Sequence, residues 1–214
     1  MELFSKDIAG QVARKLLDIK AIRLQPQEPF TWASGWKSPI YCDNRLSLSF
    51  PEVRTFIKSQ LVEAIKANFP GAEGIAGVAT AGIPQGALIA EEMGLPFIYV
   101  RSKPKGHGME NMIEGKVTKG MKVVVIEDLV STGGSSLKAV DALKAAGFEV
   151  LGMAAIFTYG FDLAAKNFED AGVKLVCLSD YEAMLPQAVA DNYASDEDLQ
   201  SLAEWRQAPD AWGK

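Results

Sequence analysis

From residue 70 onward the chain alternates between short runs dense in Val and Ile and segments of helix length, and this alternation leaves few folds open. "GIAGVAT" (74–80), "LPFIYV" (95–100), "KVVVIEDL" (122–129), "EVLGMAAIFTY" (149–159) and "VKLVCLS" (173–179) are apolar in continuous runs rather than at every second position. Strands of this kind are covered on both faces, as in a parallel sheet between helical layers. The intervening segments carry helix punctuation. "IPQGALIAEEMG" has Pro84 at its start and Gly94 at its stop. "GGSSLKAVDALKAAG" spaces Leu137, Val140, Leu143 and Lys144 helically and ends at Gly147, and "LAAKNFEDAG" does the same before Gly172. Alternating β and α units joined by right-handed crossovers give an α/β fold on a parallel sheet.

The first third of the chain reads differently. Ile8, Val12, Leu16 and Ile19 recur as one face of a helix. "FTWASGWKSPIYCDNRLSLSFP" holds five aromatics, two prolines and a glycine, the composition of short strands and turns over an apolar base. Pro51 and Glu52 open a further helix, with Val53, Phe56, Ile57, Leu61 and Ile65 on its apolar face. With no linker, repeat or low-complexity tract, residues 1–214 read as a single domain. Its parts are an N-terminal lobe of about 1–50, a core of about 51–190 and a C-terminal helical tail of about 191–214. In that tail Ser195 precedes Asp196–Asp198 as a helix start, and Trp205 is expected to dock on the body.

Charge narrows the function classes. The net charge of −5 argues against a general nucleic-acid binder. No apolar run approaches the roughly 20 residues of a membrane helix, and the start "MELFSKDIAG" lacks the pattern of a signal peptide. Cys42 and Cys177 stand far apart, as reduced thiols rather than a disulfide framework. The expected compartment is the cytoplasm, with no membrane and no nucleic-acid partner.

One segment runs against the acidic balance. "RSKPKGHGMENMIEG" (101–115) carries Arg101, Lys103 and Lys105 before its first acid, and His107, the one histidine of the chain. Pro104 and the glycines at 106, 108 and 115 argue against an inserted helix. Loops this long within a compact domain are usually functional or disordered. Two readings stand: a solvated surface loop, or a lid that attracts an anion, and charge alone does not choose between them.

The stretch richest in chemistry is "VVVIEDLVSTGGSS". A hydrophobic strand ends in Glu127 and Asp128, then turns through Ser131, Thr132, Gly133, Gly134 and Ser135 into a helix. In open α/β sheets ligands bind at the carboxyl ends of strands. A turn of small hydroxylated residues into a helix start cradles phosphate, because unpaired N–H groups and the helix dipole face the anion. Two carboxylates beside a phosphate need another target, and a sugar diol suits groups that only accept hydrogen bonds. The order suggests a ribose 5-phosphate, although neither common nucleotide fingerprint is present. The plainer reading is a Gly/Ser turn with two acids at a helix start.

These residues resemble a known family. "VVVIEDLVSTGGSS" is similar to the phosphoribosyl pyrophosphate (PRPP) motif of type I phosphoribosyltransferases. "YVRSKPKGHG" resembles the mobile catalytic loop of the orotate branch of that family. "FTWASGWKSPIYCDNRLSLSFPEVR" resembles the branch's N-terminal hood and orotate pocket, and "GVATAGIPQGALIA" its pyrophosphate loop. The likeness runs in order from about Phe30 to Tyr159. It implies the type I fold, a central mostly parallel sheet flanked by helices with a small N-terminal hood. The implied reaction joins orotate to PRPP, giving orotidine 5′-monophosphate and pyrophosphate for pyrimidine synthesis.

By the same resemblance Glu127 and Asp128 hold the ribose hydroxyls, and Leu129, Val130, Ser131, Thr132, Gly133, Gly134 and Ser135 form the rest of the PRPP site. Ser131 also matches an orotate contact. Arg101, Lys103, Lys105 and His107 close over pyrophosphate, in the family from the neighbouring subunit of a homodimer, and the catalytic candidates are Lys105, His107 and Asp128. Mg²⁺ is expected to bind mainly through PRPP, with no protein metal cage. The chain departs from better-known branches at Ser102, Ala33 and Ala81, where those branches carry lysines. Arg45 and Lys37 are the nearby cations that could receive the orotate carboxylate instead. The rival functions are a type I transferase for another base and a PRPP-sensing regulator, and the latter needs a basic DNA-binding appendage that this acidic chain lacks.

Overall fold

The computed structural model describes residues 1–32, 35–103 and 112–213. The apolar runs become the strands β6 (Gly74–Val78), β7 (Phe97–Val100), β9 (Lys122–Val130), β10 (Glu149–Thr158) and β11 (Leu175–Asp180). Together with β1 (Glu2–Leu3) and β8 (Ile113–Glu114) they form one seven-stranded sheet in the order β1-β11-β10-β9-β6-β7-β8. Every pairing is parallel except that of β7 with the edge strand β8. Two small ribbons stand apart from this sheet: β2 (Ile22–Leu24) pairs with β5 (Ile40–Cys42), and β3 (Phe30–Thr31) pairs with β4 (Lys37–Ser38).

The sheet is buried on both faces, as continuous apolar runs require. In β9, Val124 and Ile126 pack into the core made with α1 (Lys6–Asp18), α2 (Pro51–Asn68) and α3 (Gly82–Met93). Val123 and Val125 pack on the opposite face, against α4 (Gly134–Ala145) and α5 (Asp162–Asp170). The first core also takes in α6 (Tyr181–Ala190) and α7 (Asp198–Gln207), and Trp205 of α7 is fully buried in it. Among the described residues no helix is long and apolar enough to cross a membrane.

The structure adds elements to those read from the sequence, among them β2, β8, α6 and β1. The half of the 101–120 stretch that follows the undescribed residues returns to the sheet. There β8 pairs antiparallel with β7, and Arg101 N–H donates to Met112 O at 2.7 Å. Helix α6 starts directly from β11, capped by Asp180, whose carboxylate accepts Ala183 N–H at 2.8 Å, and it contains Pro186. Strand β1 extends the sheet by pairing with β11 through two residues. The tail helix begins at Asp198, three residues beyond Ser195, and the two side chains hydrogen-bond across that turn at 2.8 Å.

Glycines let α3 approach the sheet where the site will form. A Cβ on Gly82 would run into the Ile126 carbonyl oxygen and come within 3.5 Å of Glu127 Cα, and one on Gly77 would lie 2.8 Å from Gly82 O. Gly82→Ala therefore has to push α3 off the end of β9. Overpacking of this kind should destabilise the protein by about 2 kcal/mol and lower Tm by roughly 4–8 °C. An unchanged melting curve would contradict this packing.

Candidate active site

Strand alternation sends the two acids of β9 to different neighbours. Glu127 continues the Val123–Val125 face toward α4, where its Oε2 accepts from Ser136 Oγ at 2.9 Å and its Oε1 accepts Asp128 N–H at 3.2 Å. Asp128 faces the N-terminal segment. Its main-chain carbonyl accepts from the side-chain amide of Asn44 at 2.7 Å, and Asn44 is itself buried. Burial pushes the Glu127 carboxyl up to about 8, with the neighbouring Asp128 adding to the rise. Asp128 is also raised, mainly by burial. Two carboxyls side by side in a desolvated site resist ionising together.

The turn after β9 is held by its carbonyls. Val130 O accepts from Thr158 Oγ1 at 2.9 Å, and Thr132 O accepts from the Asn167 amide at 2.8 Å. Gly133 is left-handed at φ +82°, and a Cβ there would lie 2.7 Å from the Phe168 ring. At Gly134, the first residue of α4, the space is open. Neither α4 nor α3 has a side-chain cap on its N-terminal N–H groups. Two uncapped helix starts therefore flank the end of β9, an arrangement suited to anions. The Ala79–Thr80 peptide leading into α3 is cis.

Beside the acids lies a cavity walled by the aromatic rings of Trp32, Tyr41 and Tyr159, with Thr31, Cys42, Leu129 and Ser131 completing it. Trp32 and Tyr159 are 5.2 Å apart between ring centroids. Asp128 adjoins this cavity: its charge adds to the burial that holds the Cys42 thiol and the Tyr159 phenol protonated well above their ordinary ranges. One strand end thus borders an acid pair, a phosphate-type turn and an aromatic pocket.

A phosphoribosyl transferase domain family matches residues 53–184 of this chain. The orotate phosphoribosyltransferase of Cytophaga hutchinsonii is 62% identical to it over 95% of this chain and 98% of the relative. The chain belongs to the orotate phosphoribosyltransferase family. The relative named orotate phosphoribosyltransferase from Porphyromonas gingivalis is 55% identical over 97% of this chain and 99% of its own. Among solved structures, orotate phosphoribosyltransferase from Aeropyrum pernix superposes with a TM-score of 0.74 at 27% identity, covering 86% of this chain and 99% of that one. Leishmania donovani UMP synthase superposes at 0.78 and 27% identity over 92% of this chain, which spans 42% of that longer protein. These likenesses bear out the family and the type I phosphoribosyltransferase fold.

Within this family member, the structure brings Glu127, Asp128 and the 129–135 turn together at the carboxyl edge of the sheet. Arg101 stands on the same edge, two strands away at the end of β7, where its Nη1 meets Glu114 at 3.4 Å. Lys103 is exposed, and Lys105, His107 and Ala33 lie outside the described residues. Of the two cations considered for a carboxylate, Arg45 is held by Asp43 in a two-pronged pair at 2.6 and 2.9 Å. Lys37 Nζ donates at 2.9 Å to Thr31 Oγ1, so it reaches the cavity through a residue that lines it. The sequence reading missed Asn44, Tyr159 and Ser136. The first two come to the site only through the packing of the N-terminal segment and through strand register, where Thr158 pairs with Val130. Ser136 sits inside the quoted motif but belongs to the acids rather than to the turn.

Among the described residues no group of three or more His, Cys, Asp or Glu could hold a metal. Mg²⁺ needs no such cage, since it commonly takes one or two carboxylates and completes its shell with water and substrate phosphates. Glu127 and Asp128 fit that mode only in the ionised form that burial opposes.

The raised Glu127 carboxyl makes stability depend on pH. Below its ordinary value near 4.5 the group is protonated in both folded and unfolded chains, so its contribution is fully present there. As pH rises toward about 8, the unfolded chain ionises while the folded one holds its proton, and stability is lost. Asp128, also raised, acts in the same direction. The Tm of Glu127→Gln minus that of the wild type should therefore increase from pH 5 to pH 8 in a scanning-fluorimetry series. A difference that stays flat or falls would contradict the burial account.

Proposed function

We propose that this chain transfers the 5-phosphoribosyl group of PRPP to orotate, forming orotidine 5′-monophosphate and pyrophosphate in the synthesis of UMP. One observation carries the reading. Leu129 and Ser131, interleaved with the acids and the turn of a single strand end, also line the aromatic cavity. A flat base in that cavity adjoins a ribose held by Glu127 and Asp128, whose 5-phosphate rests on the 131–135 turn. The two reacting atoms are then brought together by one rigid segment.

Breaking the bond between C1 and pyrophosphate leaves positive charge on the ribose ring and negative charge on the leaving group. Asp128 stands beside the cavity, where the ring charge develops. In this proposal the pyrophosphate is received by cations from the stretch Arg101, Lys103, Lys105 and His107, and a dry site strengthens that attraction. His107 serves as charge stabiliser or proton donor. Mg²⁺, when bound through PRPP, neutralises charge on the pyrophosphate. Lys37, bonded to Thr31 at the cavity, is better placed for the orotate carboxylate than Arg45, which Asp43 already engages.

We extend the proposal to a cytoplasmic homodimer in which the stretch around Lys105 serves the neighbouring subunit. The 1–214 chain then acts as a single domain, with residues 1–50 as hood, 51–190 as core and 191–214 as tail.

Protein given PRPP, Mg²⁺ and orotate should deplete the orotate absorbance, and Asp128→Ala should lower kcat by roughly two orders of magnitude. Mixed Lys105→Ala and Asp128→Ala proteins should recover part of the activity after subunit exchange. No orotate loss at micromolar wild-type protein overturns the reaction. No recovery despite demonstrated exchange overturns the action across the dimer.

A further inference from the structure

The family match ends at residue 184, and helix α7 lies beyond it. Yet α7 places one fully buried ring, Trp205, behind the aromatic pocket. Its indole meets Trp32 edge-on at 5.7 Å and 82°, and Tyr159 at 5.5 Å and 86°. It also meets Phe161 at 5.4 Å and Tyr181 at 5.4 Å. Trp32 and Tyr159 are two of the three aromatic walls of the cavity, whereas Trp205 does not line it.

Trp32 has particular need of such support. It follows β3, in a two-stranded ribbon that is not hydrogen-bonded into the main sheet. Two-stranded ribbons are marginal alone, so the ring's position depends on what its face packs against. The ring also meets Tyr159 at 5.2 Å, and its own Nε1 donates to Ile40 O at 3.2 Å. Trp205 supplies the rigid counter-surface. Its indole N–H has no acceptor among the described residues, so what it contributes is ring surface rather than a hydrogen bond.

The next residue fastens the helix in place. Arg206 Nη2 donates to Gly160 O at 2.9 Å and pairs with Glu182 at 3.2 Å. Gly160 lies between Tyr159 and Phe161, so Trp205 and Arg206 grip the same turn through its rings and its backbone.

We propose that Trp205 is a positioning residue for the acceptor pocket, and that the C-terminal helix sets the separation of the Trp32 and Tyr159 walls that receive the base. This rests on the acceptor reading given above. A support for these walls acts on the base and leaves the 5-phosphate turn unaffected.

The test compares Trp205→Met, which keeps a large apolar side chain but no ring, and Trp205→Phe, which restores one. Trp205→Met should raise KM for orotate about tenfold and leave KM for PRPP within about twofold, and Trp205→Phe should recover most of the loss. If Trp205→Met does not fold, Arg206→Gln carries the test, with an expected selective rise in orotate KM of about threefold. An unchanged orotate KM in the folded variant, or both KM values rising together as Tm falls, overturns the inference. Wild-type turnover is read first. A wild type that consumes no orotate overturns the reaction and this inference together, whereas an active wild type with an unshifted variant overturns this inference alone.

Discussion

Glu127 is 7% exposed, lies next to Asp128, and has a single side-chain hydroxyl, Ser136 Oγ, on its Oε2. Burial that deep opposes ionisation, and a second carboxyl beside it adds to the opposition. Such a pair persists because β9 is the middle strand of the sheet, locked in register to β10 on one side and β6 on the other. The end of β9 is thereby fixed in space, and the acids, the turn and the helix starts take their places from it. A hydrogen-bonded but unspent acid pair of this kind suits a ligand rich in hydroxyls, which can satisfy both carboxyls at once.

Three distant parts of the chain meet this strand end. Asn44 ties the N-terminal segment to the Asp128 carbonyl, Thr158 of β10 secures the Val130 carbonyl, and Asn167 of α5 secures that of Thr132. Each bond fixes backbone rather than a charged group, so the turn keeps its shape and none of the three occupies either carboxyl. The aromatic pocket is assembled with less redundancy. Two of its walls, Trp32 and Tyr41, stand on two-stranded ribbons, and Trp32 leans on a ring from the C-terminal helix.

The sheet was legible because burial on both faces writes itself as continuous Val and Ile runs, and the glycine stops at Gly94 and Gly147 are left-handed in the structure. The acids and the turn were legible because they adjoin in sequence. What escaped reading lacks a local signature. Pro186 disguises α6 as non-helical, and two-residue strands such as β1 and β8 have no period to detect. Asn44 and Tyr159 become site residues only through long-range contacts, at separations that no pattern in one sequence encodes. The structure also redistributes the two candidate carboxylate partners, since Asp43 sits two residues before Arg45 and occupies it.

The most direct measurement is a crystal structure of the complex with PRPP and Mg²⁺. The account predicts ribose hydroxyls within hydrogen-bond distance of the Glu127 and Asp128 carboxylates, and the 5-phosphate on the N–H groups of residues 131–135. It also predicts C1 of the ribose turned toward the cavity of Trp32, Tyr41 and Tyr159. A ribose seated away from these acids, or a 5-phosphate bound elsewhere with the 131–135 turn left open, would contradict it.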